Sequence, residues 1–163
     1  MNKEFYQENR KTLYENVEKN SLIILFSGHA PKRSNDENYE FYANRNFLYL
    51  TNVEQENTAL MTAVYEDTEE EYLYILPPDK MAERWTGRRL KPVEIEGLSG
   101  IQNTRYVDTF LNYLGIYLRA RGIETVFGRS RYGKLPSGKI YSEGISICTD
   151  EESTGAASCA END

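Results

Sequence analysis

The stretch TALMTAVYEDTEEEYLYILP, Thr58 to Pro77, sets two apolar runs on either side of an acidic centre. Each run is short, rich in β-formers and bounded by turn residues. TALMTAVYE and EYLYILP therefore read as two strands. Glu66-Asp67-Thr68-Glu69-Glu70-Glu71 is the solvated turn that joins them, which predicts an antiparallel hairpin with a longer loop. Pro77-Pro78 ends the second strand, since proline cannot donate to a sheet ladder. A hairpin with two apolar runs needs layers to cover it, and the flanking sequence supplies them.

Upstream, SLIILFSG predicts a buried strand from Leu22 to Phe26. FLYLTN reads as another strand, with Asn52 free to take a left-handed turn. Between them HAPKRSNDENYEFYANR is too polar for a core and too long for a tight turn. Phe5, Leu13 and Val17 share one face of a helix expected over Lys3 to Glu18, with Asn20 ending it. Downstream, Asp79 can cap a short helix carrying Met81 and Trp85, and Pro92 can start another. TRYVD is a short strand candidate. Asp108 can cap a helix whose apolar stripe is Phe110, Leu111, Leu114 and Leu118, with Gly122 just past its end. IETVF is one more strand. Strands interleave with helices, so the class is α/β, with a mixed sheet flanked by helices.

The totals narrow the function. The chain has 163 residues, the size of one domain with a single core. Its net charge of −7 argues against nucleic-acid binding, which needs a basic face to neutralise phosphate. No apolar run approaches the ~20 residues of a membrane span, and MNKEFYQENRK lacks the apolar centre of a signal peptide. Cys148 and Cys159 form no framework. These features lead us to expect a reduced, cytoplasmic protein.

Catalytic patterns are missing. His29 is the single histidine, so paired-histidine metal motifs such as HExxH are excluded. It lies in a turn, and both cysteines lie far along the chain, which disfavours a Cys–His pair. GRSRYGK lacks the hydroxyl residue of a phosphate-binding loop, and no GxSxG elbow occurs. Carboxylates are so abundant that no chosen pair stands out. AERWTGRRL, in contrast, gathers the one tryptophan, Trp85, with Arg84, Arg88 and Arg89. Such a cluster is either a packed cation–π edge or a contact built for a partner.

Two blocks carry a family likeness. KRSNDENYEFYANRNFLYLTNVEQENTALM resembles the signature of the aminopeptidase P N-terminal domain, found in Xaa-Pro aminopeptidases and related prolidases. The matches are Arg33, Asp36, Tyr39, Phe41, Asn46, Phe47, Tyr49, Leu50, Thr51 and Glu54. ERWTGRRL is similar to the family's Glu-x-Trp-x-Gly-Arg-Arg segment through Glu83, Trp85, Gly87, Arg88 and Arg89. The likeness runs from about Phe5 to Phe127. Asn52 stands where the family has glycine, and Tyr42-Ala43 replaces a common Arg-Gln.

The resemblance implies a creatinase N-terminal domain fold with a ribonuclease-H-like motif. It implies a parent metallopeptidase that removes the residue before proline from Xaa-Pro peptides, using two manganese ions held by two Asp, one His and two Glu of a C-terminal pita-bread domain. That domain is not in this sequence, so no catalytic or metal residue is expected here and the chain alone is expected to be inactive. By resemblance, Trp85 reaches a neighbouring subunit's active site, with Arg88 and Arg89 holding its loop or pairing across an interface. Asp36 lies near the bound peptide's amino end, and Tyr39 belongs to the same contact set. The implied partners are the chain's own catalytic domain and neighbouring subunits of a homodimer or homotetramer.

Residues 1–127 are thus read as the domain and 128–163 as anomalous. The latter are rich in Gly and Ser, without helical or strand periodicity, as in a disordered tail. A sharper reading is a frame change. With codons chosen freely, the same bases read one position out of frame encode a helix-patterned peptide containing Asn-Leu-Gln-Glu-Leu-Leu-Arg, similar to the family's connector into the catalytic domain. Loss of the native final strand and helix is then expected to leave apolar sheet surface uncovered. The rival readings are a free-standing assembly module, a prolidase or creatinase relative, and a self-sufficient hydrolase using His29 and a cysteine.

Overall fold

The computed structural model describes residues 2–120, 123 and 125–129. Its elements are α1 (Lys3–Asn16), β1 (Ser21–Phe26), α2 (Arg45–Thr51), β2 (Ala59–Val64), β3 (Glu69–Ile75), α3 (Glu83–Thr86), α4 (Pro92–Ser99), β4 (Thr104–Tyr106), α5 (Phe110–Ala120) and β5 (Thr125–Arg129). A 3₁₀ turn, Val107–Thr109, leads into α5. The five strands form one mixed sheet in the order β4-β3-β2-β1-β5. β1–β2 and β2–β3 are antiparallel, whereas β3–β4 and β1–β5 are parallel.

The expected hairpin is β2–β3, with Ala59 opposite Tyr74 and Val64 opposite Glu69. The acidic run is split differently from the sequence reading. Glu69, Glu70 and Glu71 lie in β3, and only Glu66 to Thr68 turn. Every residue of β2 is buried, which explains its unbroken apolar run: it is the central strand, covered on both faces. On one face Met61, Tyr74, Leu22, Ile24 and Val126 pack with Phe110 and Tyr117 of α5. On the other, Leu60, Leu73 and Ile75 pack with Phe47 and Leu50 of α2 and Ile95 of α4. Tyr14 of α1 packs there on Ile23 and Val64.

Four further expectations are corrected, in whole or in part. FLYLTN is not a strand but most of α2. Asn44 Oδ1 accepts the Asn46 and Phe47 amides, so the helix starts with its donors satisfied. Phe47, Leu50 and Thr51, at helical spacing, then face the sheet. The fully buried residues of α1 are Tyr6, Arg10 and Tyr14; of the expected face, Leu13 and Val17 pack half-buried against the core and Phe5 is exposed. In α5 Phe110, Leu114 and Leu118 of the expected stripe do pack in the core, with Tyr117 beside them, whereas Leu111 lies outside. Asp108 sits in the 3₁₀ turn without a side-chain capping bond. Gly122 lies outside the described residues, as does the 128–163 segment beyond Arg129. Gly128 and Arg129 themselves continue β5.

Asn52 does adopt the left-handed conformation, φ 57°, and its amide returns to Leu48 O. Its Oδ1 also accepts the Tyr6 hydroxyl at 2.9 Å, joining α1 to the end of α2. Asn52→Ala should therefore lose both a tolerated left-handed residue and a bond, about 2 kcal/mol in urea denaturation. Asn52→Gly loses only the bond, so it should fall between alanine and wild type. Equal stability of the two variants would contradict this division. No described helix is long and apolar enough to cross a membrane.

Candidate functional site

The residues singled out by sequence lie on two exposed segments. The first follows β1. Pro31 O accepts the Tyr39 amide, and Lys32 bridges Asn38, which closes a small turn with Asp36 at its tip. The Arg33 and Ser34 amides both donate to Glu37 O. Arg33 pairs with Glu37 at 3.0 Å and lies over the Tyr39 ring at 5.8 Å. Asp36 is exposed, and Tyr39 is more than half exposed. Tyr42 donates to Glu40 at 2.8 Å, and this bond to a carboxylate raises the phenol's pKa.

The second segment joins β3 to α4. Asp79 Oδ1 accepts the Met81 and Ala82 amides at 2.9 and 3.1 Å, starting the turn that leads into α3. Those amides, Ala82 first, hold the Asp79 carboxyl below its usual range. Trp85 is 87% exposed, so the packing explanation of the AERWTGRRL cluster does not hold for the indole. The arginines do not stack on it. Arg88 forms a two-pronged pair with Glu94 of α4, at 2.7 and 3.1 Å. Arg89 donates to Pro77 O, tying the segment's two ends together. The Leu90 amide donates to Gln55 Oε1 at 2.9 Å. The base of the segment is thus pinned while Trp85 stands in solvent.

The Arg88 bond, with help from the Lys91 amide, holds the Glu94 carboxyl below its usual range. Arg88→Gln should move the Glu94 titration upward, read from its side-chain carboxyl carbon shift during an acid titration. The depressed form matters only in acid: the pair's contribution is present above the ordinary carboxylate pKa and is lost as pH falls through the lowered one. An unmoved Glu94 titration would show that the pair does not persist in solution.

No hydrogen bond, ion pair or ring contact links Asp36 or Tyr39 to Trp85 or Arg88 among the described residues. Asp36 and Tyr39 thus stand on one presentation segment and Trp85 and Arg88 on another, each held by its own local bonds. His29 is exposed, and Cys148 and Cys159 lie outside the described residues. Among those residues no three His, Cys, Asp or Glu side chains come together as a metal site would require. The donor set implied for two manganese ions is not found among them.

Sequence reasoning missed Arg10, which ties the scaffold helices together, and Gln55, which anchors Leu90 at the base of the second segment. Arg10 is 1% exposed and donates to Leu50 O, Ser99 O and Glu71. It lies four residues from both Tyr6 and Tyr14, so its place on their helical face was available as a signal. Gln55 carried none.

A sequence profile described as Aminopeptidase P, N-terminal domain matches residues 6–127. A Xaa-Pro aminopeptidase of Haemophilus influenzae is 35% identical over 88 residues, covering 54% of this chain and 20% of that protein. The Escherichia coli Xaa-Pro aminopeptidase is 30% identical over 86 residues, 52% of this chain and 20% of its own length. This chain thus matches only about a fifth of each of these relatives. Among solved structures, an aminopeptidase P from Bacillus anthracis superposes with a TM-score of 0.76 at 31% identity, over 82% of this chain and 33% of that one. The E. coli aminopeptidase P with the inhibitor Pro-Leu gives 0.73 at 21%, over 82% and 30%, a likeness of fold. With the profile spanning both presentation segments and all five strands up to Phe127, this chain belongs to the aminopeptidase P N-terminal domain family.

Proposed function

We propose that the chain is the non-catalytic N-terminal domain of a Xaa-Pro aminopeptidase, contributing subunit assembly and access to the active site rather than chemistry. The observation that carries this is Trp85: an indole exposed at 87% on a segment whose base is tied by Arg89, Leu90 and the Arg88–Glu94 pair. A large apolar side chain held out on a fixed support gains by packing on a partner. The partners are the chain's own catalytic domain, neighbouring subunits of a homodimer or homotetramer, and the Xaa-Pro peptide. Asp36 would favour the peptide's ammonium group, with Tyr39 and Arg88 framing the contact. The manganese pair belongs to the catalytic domain, and the setting is cytoplasmic. Residues after Phe127 are read as out of frame with the parent.

The test has two arms. The purified chain, supplied with Mn²⁺, should release no N-terminal residue from an Xaa-Pro peptide; turnover by the chain alone would refute the reading. In the complete enzyme, Trp85→Ala should lower kcat/KM about tenfold, the effect of roughly 1.4 kcal/mol of lost contact. An unchanged kcat/KM would remove Trp85 from the site.

A further inference from the structure

The outer face of α5 is unusual for a chain of net charge −7, because none of its 11 residues is acidic and only Arg119 is charged. Phe110 and Tyr117 point into the core, so the opposite side of the helix meets solvent. Successive residues advance by about 100° around a helix of 3.6 residues per turn. On that wheel Asn112, Gly115 and Arg119 fall along the centre of the solvent side, and Asp108, exposed in the 3₁₀ turn that leads into the helix, lies at its N-terminal end. Leu111 and Ile116, 75% and 48% exposed, flank this line to left and right. A Cβ added at Gly115 would meet nothing within 4 Å, so the middle of the face is open to close approach. No ion pair engages Asp108 or Arg119 among the described residues.

We propose that this face binds a second copy of the same chain, α5 against α5 in antiparallel. The occupant follows from how the face is arranged. A two-fold axis passing between Tyr113 and Leu114 sets Asp108 level with the partner's Arg119, Asn112 level with the partner's Gly115, and Leu111 level with the partner's Ile116. The face is therefore its own complement in charge and in size, as an isologous contact requires. Two opposite-charge pairs close its ends, and the apolar side chains cover the seam on both sides. The absence of carboxylates within the helix spares two acidic molecules from repulsion at the point of contact. One helix of this length offers less than the ~800 Å² per partner of a stable complex, so the association is concentration-dependent. This contact is separate from the Trp85 segment, and its test does not use peptidase chemistry.

Sedimentation velocity of the full 163-residue chain, from low micromolar to about 1 mM, reads the association directly. The wild type should move from monomer toward dimer across the series. Asp108→Arg should weaken the dimer at least tenfold, because each seam end then opposes two arginines. The double reversal Asp108→Arg/Arg119→Asp should restore it, which a merely structural role of either residue would not produce. Leu111→Glu/Ile116→Glu should sediment as monomer throughout; if that variant does not fold, the charge reversal alone decides. Thermal unfolding of each variant establishes that the monomer is intact. A wild type that stays monomeric would overturn the inference and leave the face to another domain or to the chain's own later residues. So would a dimer indifferent to the charge reversals, or one abolished by Trp85→Ala alone.

Discussion

Arg10→Ala is expected to cost about 3–5 kcal/mol, the range for removing one partner from a buried charge network. Arg10 Nη1 serves two carbonyls, Leu50 O at 2.8 Å and Ser99 O at 2.9 Å, while Nε meets Glu71 at 3.1 Å. One side chain thus ties α1 to the ends of α2 and α4 and to β3. Alanine leaves both carbonyls without this donor, at about 1–3 kcal/mol each, and opens a cavity where the long stem ran. The Glu71 term is the smaller one, because its side chain keeps 23% exposure and can recover water. Total stability of a domain is about 5–15 kcal/mol, so the loss is a large share of it. Urea denaturation of wild type and variant at neutral pH measures the difference. A loss under about 1 kcal/mol would show that the three bonds contribute little net stability. Arg10→Lys should lie between, since one ammonium on a shorter stem does not reproduce the guanidinium fork.

Phe47→Ala comes next, at about 3–5 kcal/mol. Phe47 is fully buried, in the cluster with Leu60, Leu73, Ile75 and Ile95. It is the main apolar anchor of α2, a seven-residue helix too short to persist without tertiary support. The ring's loss should therefore loosen α2 as well as leave a void. Amide exchange over Arg45 to Thr51 should accelerate more than exchange in β2. Uniform acceleration across the sheet would mean that α2 and the sheet open as one unit, against this account.

The same helix shows where sequence reading reaches its limit. FLYLTN has aromatic and β-branched residues in a short run, and by composition that favours a strand. What decides for helix is local bonding at its ends: Asn44 caps the start, and Asn52 turns left-handed at the finish. Asn52's conformation is legible because few residues tolerate it, but a left-handed residue follows a strand as readily as it ends a helix. The sheet was easier. β1, β2 and β3 stand out as apolar runs between turn signals, and β2 in particular has nothing polar enough to face water. Face assignment in α1 fell short because tyrosine and arginine hold its most buried positions. Hydropathy counts these as surface residues, whereas here Tyr14 meets Thr62 and Arg10 meets carbonyls. Burial raises the pKa of the Tyr14 phenol.

The candidate site was legible in part. Trp85 was conspicuous as the one indole beside arginines, but its exposure was not legible, because Met81 stands one helical turn before it as an apolar neighbour. The division of labour among the arginines was not legible. Arg88 finds Glu94 six residues on, at the start of α4, and Arg89 finds Pro77 O at the other end of the segment, pairings that no spacing rule announces. Gln55, which fixes Leu90 from 35 residues away, carried no motif at all.

The central proposal, that this chain is the N-terminal part of a Xaa-Pro aminopeptidase read out of frame near its end, is tested most directly in the source DNA. Sequencing from the codon of Phe127 through and well past the stop is enough. The account predicts that a frame shifted by one base runs open through the connector and into a domain bearing two Asp, one His and two Glu ligands. A single genuine frame with no such domain following would contradict it, and would make the chain a free-standing module whose function lies with a partner.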